Sequence, residues 1–400
     1  MVQSDLVLGI ECPPIIRDHL ADSGARVLDV SSGAVGTPTL SGDRLLLPAV
    51  PSVDGALDLL RRGGLVDRIR GVVAVSDRHL DLAARFTEAF GTPGVTRRCV
   101  RLAADKVAMR GRLAESGMSP VRWEAVHDAA DLVAFARELG GPMIVKPAAG
   151  SGSRRILRID GPSSRAIAEF VDQRHRESGW IAEEFLTGPE VSVEAFSWRG
   201  RHQVLGITAK RKGAHFVEMG HVFPADLPGP VCDAVSALVV RALSALEIDC
   251  AVSHSEVMLT AEGPRLVETH PRVGGDRIGR LVELVTGLHP VARLAGSLVG
   301  RPVADRHDAA AVALVQFFTV PPGVVTAVEG VGAAAAVDGV RDVVVDVRVG
   351  DEVGEVRSSD DRAGHVVVTG DTVARAEAAA ARALAEISVA VEPIGAGTAG

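Results

Sequence analysis

The sequence predicts an α/β fold in which an N-terminal parallel sheet is followed by antiparallel sheets. Between residues 5 and 100, apolar strand patterns such as Leu6–Ile10 alternate with helical patterns, which is typical of a parallel sheet. From residue 180 onward, strand patterns follow one another across short turns that contain Gly and Pro, which indicates antiparallel pairing. After residue 301, further strand patterns and one Ala-rich helix complete the predicted α/β fold.

Composition excludes several classes of protein. With 400 residues, the chain is long enough for two or three domains. The 43 Lys and Arg against 51 Asp and Glu give a net charge of -8, which argues against nucleic-acid binding. The sequence has no basic N-terminal region and no apolar run long enough to span a membrane. Four scattered cysteines, without metal-site spacing, predict free thiols in a reducing cytoplasm: Cys12, Cys99, Cys232 and Cys250.

The N-terminal region contains three predicted strands, at residues 6–10, 26–30 and 71–76. Predicted helices at residues 15–23, from 54 onward and at 77–90 lie between and after them. The first strand ends in Glu11-Cys12-Pro13-Pro14, so the G-x-G-x-x-G turn of dinucleotide-binding folds is missing. A Rossmann dehydrogenase is therefore disfavoured.

A glycine- and serine-rich loop follows the next predicted elements. Residues 101–117 are predicted to form one helix that carries Lys106. A strand is predicted over 142–147, with Lys146 next to its end. Residues 148–155 then join this strand to another one, whereas a Walker loop joins a strand to a helix. The loop fits either a phosphate-binding loop, with Lys146 beside it, or a plain polar hairpin.

The central and C-terminal regions predict more strands and three long helices. Strands are expected at 180–186, 191–196, 201–209, 311–318, 343–349 and 365–369, and helices at 229–246, 279–298 and 372–386. Residues 210–213, Lys-Arg-Lys-Gly, are expected to form a mobile basic loop.

Two acidic residues, Glu256 and Glu268, lie in apolar runs that are joined by a Gly263-Pro264 turn. The pattern predicts a β-hairpin with one carboxylate on each strand. Carboxylates from neighbouring strands suit Mg²⁺, which is held by one or two carboxylates together with substrate phosphates. The alternative is a solvated sheet face.

Six motifs follow one another along the chain: Lys106, Lys146 with its Gly-Ser loop, residues 183–186, Glu190, Glu256, and Glu268 with Arg272 four residues later. In this order and at these separations they resemble the ATP-grasp superfamily, and within it the carboxylate–amine ligases that join amino acids. The resemblance covers roughly residues 5–391. It implies an ATP-grasp fold with an N-terminal domain over 1–100, an ATP-grasp region over 101–300 and a β-rich subdomain over 301–392. A small antiparallel lid would occupy about 121–187, and residues 393–400 would form a loose tail.

The resemblance also assigns roles to residues. ATP would be bound by two lysines, the Gly-Ser loop, a hinge beside the adenine and an acceptor for the ribose hydroxyls: Lys106, Lys146, Gly150, Ser151, Gly152, Ser153, Glu183, Glu184, Phe185, Leu186 and Glu190. Glu256 and Glu268 would bind Mg²⁺. The position two residues after the second Glu, often Asn in the family, is His270 here, which leaves the number of metal ions open.

The chemistry that the resemblance implies is the attack of a substrate carboxylate on ATP, followed by attack of an amine on the acyl phosphate. Arg272 and Lys146 are the expected catalytic residues, because phosphoryl transfer depends mainly on position and charge. The expected substrate-binding residues are Glu218, His221, Arg272, Gly274, Gly275 and Asp276. An acid at position 276 would suit a cationic or amino-bearing substrate.

The predicted function is thus an ATP- and Mg²⁺-dependent ligase in the cytoplasm that joins small-molecule carboxylates and amines, with amino acids as the expected substrates. The expected setting is bacterial peptide or specialised-metabolite synthesis. No nucleic-acid or membrane partner is expected, and the family suggests a homodimer. Two alternatives stay open. One is an ATP-grasp carboxylase or purine-pathway enzyme that uses bicarbonate or formate, and the other is a nucleotide-binding protein without activity.

Overall fold

The computed structural model describes residues 5–34, 37–48, 53–118, 121–150, 155–162, 167, 179–213, 217–301 and 310–393. Parallel and antiparallel sheets occur together with helices, which confirms the predicted fold class.

The N-terminal region is a five-stranded sheet with the order β3-β4-β2-β1-β5. Its elements are β1 (Leu6–Ile10), α1 (Pro14–Ala21), β2 (Arg26–Ala34), β3 (Thr39–Ser41), β4 (Arg44–Pro48), α2 (Val53–Arg62), β5 (Ile69–Ala74) and α3 (Asp77–Phe90). Strand β1 is buried throughout and pairs in parallel with β2 and β5. Because only two residues separate the end of β5 from the start of α3, Asp77 lies at the carboxyl end of the sheet.

The predicted single helix over 101–117 is wrong, because two helices meet at Asp105. They are α4 (Arg97–Ala104) and α5 (Lys106–Glu115). Asp105 has an extended backbone, and its carboxylate accepts hydrogen bonds from the N–H groups of Val107 and Ala108. This cap starts a new helix and puts Lys106 at its first position.

The lid is a four-stranded antiparallel sheet with the order β6-β9-β7-β8. It consists of β6 (Trp123–Val126), α6 (Ala129–Leu139), β7 (Met143–Pro147), β8 (Leu157–Ile159) and β9 (Trp180–Glu184). Helix α6 is capped by Asp128 and packs Leu132 and Phe135 onto the sheet beside Met143.

An eight-stranded antiparallel sheet forms the rest of the scaffold, with the order β14-β13-β10-β11-β12-β15-β19-β17. Its strands are β10 (Glu190–Trp198), β11 (Arg201–Lys212), β12 (Glu218–Phe223), β13 (Ala251–Thr260), β14 (Gly263–His270), β15 (Val312–Phe318), β17 (Val340–Val345) and β19 (Gly364–Gly370). The sheet crosses from the central region into the C-terminal region where β12 pairs with β15.

Helices cover this sheet, and a small second sheet follows it. The helices are α7 (Gly229–Ala245), α8 (Ile278–Thr286), α9 (Pro290–Leu298), α10 (Val331–Ala335) and α11 (Val373–Glu386). The small sheet has the order β18-β16-β20 and is built from β16 (Gly323–Glu329), β18 (Glu352–Val353) and β20 (Ser388–Glu392). The structure thus adds β16, α10 and β18, which the sequence reading did not predict.

Two further expectations are wrong. Residues Lys210–Lys212 do not form a mobile loop, because they are the end of β11 and pair with β12. The predicted helix over 279–298 is two helices, since Gly287 has a left-handed backbone that ends α8, and His289 caps α9 with its side chain.

The four cysteines are free thiols, and Cys12, Cys99 and Cys250 are buried. Burial raises the pKa of the Cys12 thiol to about 12. Among the residues that the structure describes, no helix has both the length and the apolar character needed to cross a membrane.

Candidate active site

The carboxylates of Glu256 and Glu268 lie opposite each other on the paired strands β13 and β14. A bulge follows Glu256, so the register changes between Glu256 and Val257. The pKa of each carboxyl is lowered although burial and mutual repulsion oppose ionisation, and that of Glu268 falls to about 2. Two adjacent ionised carboxylates need positive partners nearby.

His254 is the histidine partner of Glu256. Its Nε2 lies 3.6 Å from Glu256 Oε1, and its Nδ1 lies 2.8 Å from Glu194 Oε1. Burial alone would lower the pKa of His254, but the charges of Glu194 and Glu256 outweigh burial and raise it to about 10. His254 is therefore an imidazolium at neutral pH that stabilises both carboxylates.

His270 has the same relation to Glu268. Its Nε2 lies 3.2 Å from Glu268 Oε1, and its Nδ1 lies 3.0 Å from Asp77 Oδ1. These two carboxylates raise the pKa of His270 against the effect of burial. Because both ring nitrogens are engaged, the imidazole holds Glu268 in place and has no nitrogen left for a metal ion.

The two predicted phosphate-binding lysines line the same cavity. Lys106 Nζ donates to the carbonyl oxygen of Gly150 at 2.7 Å and lies 3.4 Å from Glu268 Oε2. Lys146 Nζ lies 2.8 Å from Glu183 Oε2. The predicted loop residues Ser151, Gly152 and Ser153 lie outside the described residues.

The side chain of Glu183 joins the lid to the rest of the protein. Arg110 Nε donates to Glu183 Oε1 at 2.7 Å, and Arg110 Nη1 donates to the carbonyl oxygen of Leu266 on β14. Burial opposes ionisation of Glu183, but Arg110 and Lys146 lower its pKa to about 2. The carboxylate of Glu183 is thus occupied, and its backbone lies in β9, which pairs with both β6 and β7. The hinge contact with adenine stays a prediction.

The other predicted hinge residues are Glu184, which ends β9, and Phe185 and Leu186, which follow it. The carboxylate of Glu184 accepts a hydrogen bond from the backbone N–H of Arg122, and the N–H of Phe185 donates to the carbonyl of Pro142. The guanidinium of Arg158 lies 4.3 Å from the centre of the Phe185 ring. Leu186 lines the same cleft.

Lys210 is a buried lysine at the centre of three carboxylates. Its Nζ lies 2.6 Å from Glu190 Oε1, 2.5 Å from Glu218 Oε1 and 2.8 Å from Glu256 Oε1. Burial would lower the pKa of Lys210, but the three carboxylates raise it well above its ordinary value. Lys210 therefore connects the predicted ribose acceptor Glu190 and the predicted substrate residue Glu218 to Glu256.

Arg272 is held by Asp77 from the N-terminal region. Its Nε donates to Asp77 Oδ1 at 3.0 Å and its Nη2 donates to Asp77 Oδ2 at 2.7 Å. Hydrogen bonds from His270 and Arg272 keep the pKa of the Asp77 carboxyl well below its usual range, although burial opposes this. One carboxylate thus orients both side chains.

The loop from Pro271 to Arg277 contains the remaining predicted substrate residues. A Cβ atom on Gly274 would lie 2.8 Å from His254 Nδ1, so this position accepts no side chain without displacing the histidine, whereas Gly275 faces open space. Asp276, the acid that was expected to suit a cationic or amino-bearing substrate, is already paired, because Arg362 binds its carboxylate with two hydrogen bonds of 2.9 and 2.6 Å. His221 Nε2 lies 3.1 Å from the same carboxylate.

A cavity of about 790 Å³ brings most of these groups together. Its walls come from α3 and the α4–α5 junction, from the lid, from the large sheet and from the turn at Ser358–Asp360: the lining includes Asp77, Lys106, Lys146, Gly150, Glu183, Glu184, Phe185, Leu186, Glu190, Lys212, Glu256, Glu268 and His270. Lys210 joins this cavity to the cluster around Glu218 and Asp276, since it contacts both Glu256 and Glu218.

Several site residues were not found from the sequence: Asp77, Arg110, Glu194, Lys210, His254 and Arg362. One signal was present for Glu194, which lies between the apolar residues Val193 and Ala195 of a predicted strand. A charged residue on the buried face of a central strand requires a partner, which here is His254 on the neighbouring strand.

Comparison with known proteins agrees with this fold. Residues 139–280 match the family described as ATP-grasp domain, and residues 316–392 match the L-amino acid ligase C-terminal domain 2. Uncharacterized protein y4rH of Sinorhizobium fredii is 28% identical over 86% of this chain and 72% of its own length. An alanine–anticapsin ligase of Bacillus amyloliquefaciens is 24% identical, but the match spans 48% of this chain and about half (46%) of that protein.

The structure superimposes on that of an L-amino acid ligase from Bacillus licheniformis with a TM-score of 0.79. The match covers 98% of this chain and all of the other at 22% identity, so it supports the fold. Together the fold and the two family matches place the chain in the ATP-grasp superfamily. More particularly, it is an ATP-grasp enzyme of the carboxylate–amine ligase type, which forms carbon–nitrogen bonds.

Proposed function

We propose that this protein uses ATP and Mg²⁺ to activate the carboxylate of an amino acid as an acyl phosphate and joins it to the amine of a second amino acid. The observation that carries the proposal is the pair of ionised carboxylates, Glu256 and Glu268, on the wall of a cavity that also contains Lys106 and Lys146.

The donor groups fit a magnesium ion. Glu256 and Glu268 offer hard oxygen ligands from rigid neighbouring strands, which Mg²⁺ prefers. His254 and His270 each contact one of these carboxylates, as the outer hydrogen-bond partners of metal ligands do. When bound, the ion would neutralise phosphate charge; Glu256 and Glu268 are the residues that would hold it.

The remaining residues have separate tasks. Lys106 and Lys146 supply positive charge to the cavity in which the phosphates of ATP would lie. Arg272, oriented by Asp77, is the group proposed to stabilise the negative charge on the acyl phosphate and on the oxyanion formed when the amine attacks. Phosphate then leaves as the amide forms.

The direct test is incubation with ATP, Mg²⁺ and a panel of amino acids, followed by mass spectrometry of the products and an assay of phosphate release. Phosphate release that requires an amino acid, together with a new amide, is the expected result. Release stimulated by bicarbonate without an amide would indicate a carboxylase instead. ATP binding without any release would indicate a silent nucleotide-binding protein.

Glu268→Gln tests the metal assignment in the same assay. The amide keeps the shape of the side chain but removes its charge, so we expect turnover to fall by about 100-fold or more while the fold is retained. Glu262→Gln, on the exposed turn of the same hairpin, is the matched control and should leave the rate unchanged. A near-normal rate for Glu268→Gln would contradict the assignment.

A further inference from the structure

The loop that contains Arg272 and Asp276 ends in an unusual backbone conformation. Asp276 and Arg277 have φ values of 50° and 65°, in the left-handed region that non-glycine residues rarely adopt. Two such residues in succession persist only where surrounding contacts impose them, and they are found mainly at functional sites.

The contacts that impose this conformation come from the C-terminal region of the chain. Arg362, just before β19, binds Asp276 through both Nη atoms, and the two side chains are 10% and 18% exposed. His365, within β19, accepts a hydrogen bond of 3.0 Å from Arg277 Nε. Burial and the charge of Arg277 lower the pKa of His365 to about 4, so the ring is a neutral acceptor.

Arg362 also contacts the second predicted substrate segment. Its Nη1 donates to the carbonyl oxygen of Glu218 at 2.9 Å, and its guanidinium lies 3.6 Å from the centre of the Phe317 ring. Its Nε donates to the carbonyl of Ser359, whose turn lines the cavity. One side chain from the C-terminal region therefore organises both predicted substrate segments.

The charge of Asp276 is neutralised by this arrangement. A bidentate guanidinium pair of low exposure is strong and directional, and His221 lies against the same carboxylate. A cationic side chain next to Asp276 would meet a carboxylate that is already paired, together with the guanidinium of Arg362. An uncharged side chain meets no such repulsion.

We propose that Arg362 is the specificity-determining residue of the amino-acid pocket. By pairing with Asp276, it makes the part of the pocket beside Asp276 select uncharged over cationic side chains. The proposal rests on the proposed function, since it assumes that an amino acid binds beside Glu218 and Asp276. Arg362 is a positioning residue, because it acts through Asp276 and the Glu218 carbonyl.

Two single substitutions should shift the preference in opposite directions. Arg362→Met leaves Asp276 with His221 alone, and we expect kcat/KM for lysine relative to leucine to rise by roughly tenfold, corresponding to one unpaired charge. Asp276→Asn leaves the guanidinium unpaired, so kcat/KM for glutamate relative to leucine should rise by a similar factor. The double variant should return to the wild-type order, and KM for ATP should stay the same in all variants.

The matched control is Arg357→Met in the same loop. Arg357 pairs with Glu355 at 2.8 Å, but both side chains are largely exposed, at 78% and 70%. Such a pair contributes little, so the preference should equal that of the wild type. A substitution that only disturbs the local structure would lower the rates with all amino acids together and leave the ratios between amino acids unchanged.

Binding of leucine, lysine and glutamate in the presence of a non-hydrolysable ATP analogue, measured by calorimetry, separates the two proposals. If wild-type protein forms no amide with any amino acid, the proposed function fails, while the ratios of dissociation constants still test the selectivity. If amide is formed but Arg362→Met and Asp276→Asn leave the preference unchanged, the inference is overturned and the function stands. A wild-type preference for lysine would also overturn it. Should Arg362→Met fail to fold, Asp276→Asn, which is isosteric, decides by the ratio of glutamate to leucine.

Discussion

Asp77 orients two residues of the candidate site although it belongs to the N-terminal region of the chain. It is the first residue of α3, and its carboxylate accepts hydrogen bonds from Arg272 and from His270. Outer partners of this kind orient the groups that touch a substrate or metal. The N-terminal region thereby contributes to the geometry at Glu268.

Asp77→Asn should therefore lower product formation more than it changes ATP binding. The amide cannot hold Arg272 with two charge-assisted hydrogen bonds, and loss of such a partner typically costs about 10- to 100-fold in activity. Steady-state kinetics with ATP and amino acid varied separately would show a fall in kcat with KM for ATP nearly unchanged. Asp81→Asn, exposed one turn further along α3, is the control. Equal rates for both variants would contradict the role of Asp77.

At the scale of the element, the junction between α8 and α9 depends on a histidine that must stay neutral. His289 Nδ1 accepts the backbone N–H of Val291 at 3.2 Å and thereby caps α9. The ring stacks on His19 at 4.0 Å, and burial, His19 and Arg280 together lower the pKa of His289 to about 3. A protonated ring would lose its acceptor nitrogen and the cap.

This pKa predicts the sign of a pH effect on stability. Above the ordinary histidine pKa of about 6.5, folded and unfolded chains are both neutral at His289, and the cap contributes fully. As the pH falls from about 6.5 towards 3, the unfolded chain binds a proton and the folded chain does not, so the free energy of unfolding decreases.

His289→Asn should reduce this loss, because asparagine caps a helix without titrating. The measurement is the urea midpoint at pH 7 and at pH 4.5 for the wild type, His289→Asn and the control His127→Asn, an exposed histidine of the lid. We expect the smallest difference between the two pH values in His289→Asn. A difference equal to that of the wild type would refute the role of the cap.

At the scale of the whole molecule, the large sheet joins the central and C-terminal regions into one structure. Strand β15 pairs with β12 over Gly220–Phe223, and Ala313, Val315 and Phe317 pack with Phe223 and with Leu281 of α8. Without β15, strand β12 would become an exposed edge with an uncovered apolar face, which favours aggregation.

A chain that ends at residue 301 should therefore fail to give soluble, folded protein. Soluble yield, circular dichroism and resistance to proteolysis would be compared with a chain that ends at residue 393, which keeps all the strands that the structure describes. A soluble and cooperatively folding 301-residue chain would show that the sheet does not need its C-terminal strands.

Part of the site was predictable from the sequence because it depends on local order. Two apolar runs joined by a short turn can pair in only a few registers, which is why Glu256 and Glu268 were expected on neighbouring strands. The family matches likewise confirm the resemblance that was based on the order of Lys106, Lys146 and the two carboxylates. The roles of the individual residues stay predictions.

The sequence by itself determined the fold class, the family and the hairpin with its two carboxylates, because strand alternation, turn residues and motif order are local properties. Only the tertiary structure decided which charges meet. Lys210 looked like a loop residue because a run of basic residues normally faces water, and it is buried only because three carboxylates from other strands surround it. Asp77 with Arg272, and Arg362 with Asp276, are pairs between residues far apart in the chain. No periodicity encodes such pairs, since a charged side chain finds its partner only after the sheets have packed.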